Sequence, residues 1–246
     1  MIDVRLVSVS KVIRGKKILN EINLEVPRGS IYCVVGPNGA GKTTTLRIIA
    51  TLMRPSSGEV YINNEKIAYG NTSQLQRIRR LIAYLPEEAD TYSRLTGLEY
   101  LRFFADIHKI PEEDLELGIE LTGLSKEDLK KKTGAYSKGM RRRLMLARTL
   151  MVKPQIAILD EPTSGLDVFS SVKIRDVIKR FSRELGKTII LSTHNMLEAE
   201  DLCQRIALIN QGRVVFSGEP RRAIEITGAS NLEEAFVRLC EVPEHA

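Results

Sequence analysis

The sequence predicts an α/β protein: a sheet-and-helix core built around a glycine loop, with an antiparallel β subdomain in its N-terminal part and a helical subdomain inserted midway. Three observations carry this. Five apolar residues, Ile31 to Val35, three of them β-branched, lead straight into GPNGAGKTT (36–44), and the helical run TTTLRIIATL follows. The strand-then-helix order returns after residue 153, in IAILD (156–160) and TIILST (188–193). Between the two, from Thr96 to about Met151, helix caps and a 3.6-residue apolar period replace the strand pattern.

Taken in order, residues 2–30 hold two alternating stretches, VRLVSV and INLEV, separated by the basic, turn-like RGKK, which predicts a small antiparallel sheet. GEVYINNEKIAYG (58–70) reads as a hairpin turning at Asn63-Asn64, since asparagine tolerates positive φ. Leu81 to Leu85, ahead of Pro86, reads as a short buried strand. Thr96-x-x-Glu99 is a capping box before LEYLRFFADIHK. Pro111 to Leu121 forms a second helix stopping near Gly123, and Ser125-x-x-Asp128 opens a third. A fourth spans Ser137 to Met151, with Leu144, Ala147, Leu150 and Met151 on one face. Asp167 caps a helix carrying Val172, Val177, Ile178, Phe181 and Leu185, which ends at Gly186. TIILST precedes the helix NMLEAEDLC, RIALIN and RVVFSG form a hairpin about Gln211-Gly212, and LEEAFVRLCE is an amphipathic helix. The expected organisation is a single domain: a core with its β subdomain over 1–92 and 153–220, the helical subdomain over 93–152, and a short helical tail over 221–246.

The 246 residues, 43% hydrophobic and 28% charged, suffice for a core of this size. No apolar run approaches the roughly 18 residues of a membrane span. MIDVRLVSVSKVIRGKK lacks the uninterrupted apolar stretch of a signal peptide. Cys33, Cys203 and Cys240 are odd in number and lack metal-type spacing, which predicts reduced thiols. The net charge of +6 suits an anionic partner, and equally a merely soluble basic protein.

The spacing G-x-x-x-x-G-K-[ST] is met by Gly36, Gly41, Lys42 and Thr43. A triphosphate crowds negative charge onto neighbouring oxygens. Backbone N–H groups can surround it only where no side chain intervenes, hence Gly36, Gly39 and Gly41, with Pro37, Asn38, Ala40 and Thr44 completing the loop. The following helix turns its free N–H groups and positive dipole end to the same place. Lys42 would sit at the β/γ-phosphates and the Thr43 hydroxyl on Mg²⁺. Asp160 ends a buried strand, where such sheets bind ligands, and would hold the same ion. Glu161 would orient or deprotonate the attacking water, and His194 would donate to the γ-phosphate and hold that water and Glu161. A turn acid pair and a surface imidazole are the plainer accounts of these residues, and the glycine loop weighs against both. In YSKGMRRRL (136–144), Ser137 caps a helix and Gly139 permits close backbone approach, so its N-terminus offers a second phosphate site. An ordinary capped basic helix accounts for it as well on local grounds.

Together these segments resemble the ATP-binding subunit of ATP-binding-cassette (ABC) transporters. GPNGAGKTT resembles Walker A, YSKGM the signature, IAILDEP Walker B, SGLD (164–167) the D-loop and His194 the switch histidine, in the family's order and over essentially the full chain. LPEE (85–88), the short tail and its LEEAFVRL helix resemble the drug-exporter-like and sodium-exporter-like groups, whose membrane subunit is a separate chain. The resemblance implies an ATPase using ATP and Mg²⁺, peripheral on the cytoplasmic face of the membrane, that powers a separate transmembrane permease and acts in export. It implies a head-to-tail dimer with itself or a similar subunit. There, Ser137 and Gly139 would meet the ATP on Walker A of the other copy, and Asp167 would lie at the seam. The stretch from Tyr92 to Phe104 would face the membrane subunit through Leu95, Tyr100, Phe103 and Phe104, although packing inside the helices accounts for at least half of these.

Other classes fit less well. A soluble ABC-type ATPase acting on nucleic acid or in cofactor assembly shares the catalytic motifs and suits the positive charge, but usually carries two cassettes or long coiled coils. A P-loop GTPase or small-molecule kinase explains the glycine loop alone, and no N-K-x-D guanine motif is present. A cassette that binds ATP without hydrolysing it is opposed by Glu161 and His194.

This chain departs from the family's pattern at Glu87, in the signature stretch and at the base-stacking position. Glu87 stands where glutamine is usual; its carboxylate can still approach Mg²⁺ but cannot donate as an amide does. Tyr136, Lys138 and Met140 replace the leucine, one glycine and the glutamine of L-S-G-G-Q, and Lys138 would add positive charge near the other copy's γ-phosphate. The aromatic residue that stacks on adenine falls on Ile13 or Arg14, so aliphatic or guanidinium packing would hold the base. With no aromatic face at that position, competition binding should show ATP preferred over GTP by less than about a hundredfold; a larger preference would contradict this assignment.

Overall fold

The computed structural model describes residues 1–241. Strands β1 (Ile2–Ile13), β2 (Lys16–Pro27), β4 (Ser57–Ile62) and β5 (Glu65–Lys66) form an antiparallel sheet in the order β2-β1-β4-β5. Its hairpin turns at Asn63 and Asn64, with φ of 50° and 62°, as the asparagine pair predicts. The second sheet has the order β10-β9-β3-β8-β7-β6. It comprises β3 (Ile31–Val35), β6 (Ile82–Leu85), β7 (Ile156–Asp160), β8 (Thr188–Thr193), β9 (Arg205–Asn210) and β10 (Arg213–Gly218). All its neighbours pair in parallel except β9 with β10.

Parallel pairing explains why β3, β7 and β8 are apolar throughout: both faces are covered. Along β3, Tyr32 and Val34 face α1 (Lys42–Ile49) and the antiparallel sheet, packing in one cluster with Leu46, Ile49, Val4 and Leu24. Ile31, Cys33 and Val35 face the opposite cluster, with Leu101, Leu144, Ile178 and Leu202. Those residues lie on α3 (Gly97–His108), α6 (Lys138–Met151), α7 (Val168–Leu185) and α8 (Met196–Leu202). Shared strand direction also puts the carboxyl ends of β3, β8, β7 and β6 on one edge, so the turns after them converge.

The caps fall as the sequence predicts. Thr96 and Glu99 form the capping box of α3, and Gly123, in the left-handed conformation, ends α4 (Glu112–Thr122). Ser125 caps α5 (Lys126–Lys130), Ser137 caps α6, Asp167 caps α7 and Gly186 ends it. Two helices lacked a readable apolar period: α2 (Thr72–Arg79), in which only Ile78 is buried, and α9 (Pro220–Thr227). On α7, Val172 and Leu185 face solvent, and the buried stripe runs through Ile174, Ile178 and Phe181. The tail helix α10 covers Leu232–Glu241; positions 242–246 of the expected tail lie outside the described residues. Cys33 and Cys203 are joined as a disulfide, Cα atoms 6.0 Å apart, against the expectation of three reduced thiols. They are 170 residues apart in sequence, so only the packing of α8 beside β3 reveals the pair.

A buried polar link joins the two sheets. Asp3 of β1 accepts from Thr188 Oγ1 of β8 (2.5 Å), Arg28 Nε (2.7 Å) and Gln155 Nε2 (3.3 Å), while Thr188 Oγ1 accepts from the Gly29 N–H (2.8 Å). Asp3→Ala would strand these donors in a buried site, at a cost of about 2–4 kcal/mol. Thermal unfolding should therefore show a melting temperature lower by roughly 4–12 °C, with Asp3→Asn, which keeps an acceptor, less affected.

Candidate active site

The loop after β3 is held from both sides. Gly36 N–H donates to Thr193 O (3.3 Å) and Gly212 N–H to Ala40 O (3.0 Å). Gly41 N-caps α1 with φ of 108° and no side-chain cap, which leaves the first N–H groups of the helix facing the loop. The glycines serve different ends. A Cβ on Gly36 would stand 2.1 Å from Ile209 O, and one on Gly41 2.5 Å from the Leu19 side chain, so both make room for the protein's own packing. Gly39, with φ of 82°, faces open space and leaves its backbone open to a ligand. Pro37, Asn38 and Gly39 are exposed, Ala40 and Lys42 buried, Thr43 and Thr44 half-buried. Lys42 Nζ donates to Gly36 O (2.8 Å) and Pro37 O (3.2 Å) and lies 3.2 Å from Glu161 Oε1.

Asp160, 1% exposed, accepts three hydroxyl protons. They come from Thr43 (3.1 Å) and Ser192 (2.6 Å) to Oδ1, and from Tyr84 (3.0 Å) to Oδ2. Burial, then the Asp160 charge, pushes the Tyr84 hydroxyl up to about 12, so it stays a donor at neutral pH. Thr43 and Asp160 thus present adjacent hard oxygens, a donor set that fits Mg²⁺ held by one carboxylate and substrate oxygens. Among the described residues no cluster of three or more His, Cys, Asp and Glu could hold a metal by itself.

Glu161 adopts φ of 46°, in the left-handed region that a glutamate occupies only under restraint. Its Oε2 meets His194 Nδ1 at 2.9 Å. Its Oε1 is buried, lies 3.2 Å from Lys42 Nζ and accepts no hydrogen bond. With Glu161 ionised, the His194 ring donates through Nδ1, and its Nε2 can donate to a phosphate only as the imidazolium. His194 is half exposed. Glu198, 4% exposed, accepts from Thr193 Oγ1 and Thr163 Oγ1, both at 2.7 Å, and ties the turn after β8 to the turn after β7.

The remaining expected residues lie apart from this cluster. Ser137 Oγ accepts the Met140 N–H (3.1 Å) as an ordinary N-cap. Gly139 is glycine because a Cβ there would stand 2.2 Å from Ser170 Oγ of α7. No hydrogen bond among the described residues joins either one to the glycine loop. The Lys138 side chain lies over Gly165 of its own chain and lines a cleft of about 380 Å³ with Glu87, Arg142, Glu161 and Ser164. Glu87 has an exposed side chain and makes no hydrogen bond to Thr43 or Asp160; its carbonyl accepts from Arg142 (3.3 Å). Ile13 and Arg14 sit at the β1–β2 hairpin tip, beyond Ile18 and Leu19, which pack on Gly41. Sequence reasoning passed over Tyr84, Arg142, Ser192 and Glu198, because sheet order alone brings them here.

The ABC transporter family model matches residues 19–164. The chain belongs to that family. Curated relatives include the uncharacterized ABC transporter ATP-binding protein YhcH of Bacillus subtilis, 37% identical over 85% of this chain and 67% of its own length. The fluoroquinolones export ATP-binding protein MT2762 of Mycobacterium tuberculosis is 38% identical over 79% of this chain and 63% of its own. The trehalose/maltose import ATP-binding protein MalK of Thermococcus litoralis is 36% identical over 89% and 60%. The chain thus spans about two thirds of the length of these relatives. Among solved structures, an ATP-binding subunit of an ABC transporter superposes with a TM-score of 0.84 at 28% identity, covering 97% of this chain and 100% of that one. The ATP-binding cassette MJ0796, a dimer in a post-hydrolysis state bound to ADP and Pi, superposes with 0.78 at 28% identity, over 88% and 98%.

This ABC protein is therefore an ATP-binding ATPase subunit with the mixed α/β fold of the cassette. No helix among the described residues is long and apolar enough to cross a membrane. The different duties of its glycines are separable by experiment. Gly39→Ala should fold and bind ATP within about thirtyfold of wild type, since left-handed backbone costs roughly 1–2 kcal/mol. Gly36→Ala should lower the melting temperature by roughly 3–10 °C through the Ile209 clash, and equal melting points for the two variants would refute the assignment.

Proposed function

We propose that this ATPase subunit hydrolyses ATP at the carboxyl edge of its parallel sheet and so drives a separate membrane permease. The observation that carries this reading is Glu161, held in a left-handed conformation between Lys42 and His194, with Oε1 paired to Lys42 at 3.2 Å and accepting no hydrogen bond, so that it can take a proton once Lys42 turns to the phosphates. Lys42 and the N-terminus of α1 bind the β/γ-phosphates, displacing the lysine from the Gly36 and Pro37 carbonyls. Thr43 and Asp160 would hold Mg²⁺, which would supply positive charge beside the phosphate oxygens. Glu161 takes a proton from the water as the water oxygen attacks the γ-phosphorus, and the bond from that phosphorus to the β–γ bridging oxygen breaks, so that ADP leaves with the electron pair. His194 fixes the Glu161 carboxylate and, as imidazolium, donates through Nε2 to the γ-phosphate. Glu87 would join the Mg²⁺ shell through its exposed side chain, and Ile13 and Arg14 at the hairpin tip would flank the base.

The N-terminus of α6, where Ser137 is exposed and Gly139 is buried behind it, serves the ATP of a second copy or a similar subunit, which explains why it stands apart from its own glycine loop. The permease docks on the helical subdomain, 93–152, at the cytoplasmic face of the membrane. Of the four side chains expected there, Tyr100 is buried, Leu95 and Phe104 pack against the core, and Phe103 is exposed, beside exposed Tyr92 and Ile107. Export is supported by the LPEE turn and the relative named for fluoroquinolone export, while the similarly distant MalK is named for import.

Steady-state hydrolysis with size-exclusion chromatography in ATP tests the core of this reading. Glu161→Gln should lose hydrolysis by about a thousandfold or more and elute as an ATP-held dimer; a hydrolysing variant would refute the role. Tyr84→Phe removes one donor from Asp160 and should raise the Mg²⁺ concentration for half-maximal activity by about threefold to tenfold. Phe103→Ala should lower substrate transport in vesicles holding the permease while the isolated subunit keeps its basal rate.

A further inference from the structure

Three successive arginines follow the signature stretch: Arg141, Arg142 and Arg143. The outer two make ordinary contacts with carbonyls of Tyr136, and of Thr122 and Gly123. Arg142 is different, being only 6% exposed. Its guanidinium makes five hydrogen bonds, all to backbone carbonyl oxygens. Nε donates to Pro162 (3.0 Å). Nη1 donates to Pro86 (2.8 Å) and Glu87 (3.3 Å), and Nη2 to Asp160 (2.7 Å) and Glu161 (3.1 Å). A buried guanidinium is costly unless its donors are satisfied, and here they are spent on the turns after β6 and β7. Burial pushes its pKa down to about 10, which leaves it charged at neutral pH beside Asp160, Glu87 and Glu161.

The peptide it grips is the strained one. Glu161, with φ of 46°, keeps this conformation only where its surroundings hold it. Its carbonyl is taken by Arg142 and its N–H by Ser192 Oγ (2.9 Å). Ser192 in turn donates to Asp160 Oδ1, so the hydroxyl spans both acidic residues. Glu161 is thus fastened from α6 on one side and from β8 on the other.

We propose that Arg142 is a positioning residue for hydrolysis: with Ser192 as its counterpart it holds the strained Glu161 peptide so that the carboxylate stays between Lys42 and His194. Because Arg142 rides on the helix that Ser137 caps, movement of that helix is transmitted through five carbonyl contacts to the turns that carry Glu87 and Glu161. The inference rests on the reading of Glu161 as the group that takes the proton from water.

The test compares wild type, Arg142→Lys, Ser192→Ala and Glu161→Gln by steady-state ATPase kinetics, binding of a fluorescent ATP analogue, and thermal unfolding. A lysine keeps the charge but cannot span the turns after β6 and β7. Arg142→Lys should lower kcat about tenfold to a hundredfold, with KM and analogue affinity within about threefold of wild type. Ser192→Ala should show the same split. Wild-type kcat in Arg142→Lys, with Glu161→Gln inactive, would overturn the proposal while sparing the reading of Glu161. An active Glu161→Gln would remove both. Equal losses of kcat and affinity would also overturn it, as the mark of general destabilisation. Should Arg142→Lys not fold, Ser192→Ala decides: kcat lost with binding kept supports the proposal, and unchanged kcat overturns it.

Discussion

The Asp160 carboxylate is the point on which the site depends. It accepts hydroxyls from Thr43 on α1, Tyr84 on β6 and Ser192 on β8, three elements that meet only because β6, β7 and β8 run parallel and share an edge. A buried carboxylate with unsatisfied oxygens would be costly, and these donors satisfy it while leaving an oxygen-rich corner beside the glycine loop. The apolar strand IAILD is what carries the charge to this depth.

Around that point the protein holds Glu161 against its own backbone preference. The restraint comes from neighbours distant in sequence, so the Glu161 carboxylate is placed by the whole fold rather than by its turn. Lys42 and His194 flank the carboxylate, and Glu198 links the turns that carry Glu161 and His194 through Thr163 and Thr193. Preorganisation of this kind avoids rearrangement when charge develops in the transition state.

The signature stretch shows how one sequence feature can hold two layers of meaning. Ser137 and Gly139 look, locally, like the start of a basic helix, and within this chain the structure uses them so: a cap, and a close approach to Ser170. The same helix carries Arg142 inward to the turns of the catalytic edge. A dimer that engages the outer end of α6 would act on the same rigid element that grips Glu161.

The sequence by itself determined what depends on local chemistry. The glycine loop, the caps at Thr96, Ser125, Ser137 and Asp167, the Asn63-Asn64 turn and the apolar strands were legible because each follows from a residue's own φ preference, its side-chain oxygens or a short period. The positions of Asp160, Glu161 and His194 at the ends of strands were legible from the apolar runs that precede them. Sheet order was decided only in three dimensions, and with it everything that order brings together. Nothing local separates Arg142 from Arg141 and Arg143, marks Ser192 or Tyr84 as a partner of Asp160, or pairs Cys33 with Cys203. Nor did it show that Gly36 and Gly139 are small for the sake of Ile209 and Ser170. These contacts span tens to more than a hundred positions, and their energies depend on burial, which a residue acquires only from the neighbours the fold supplies.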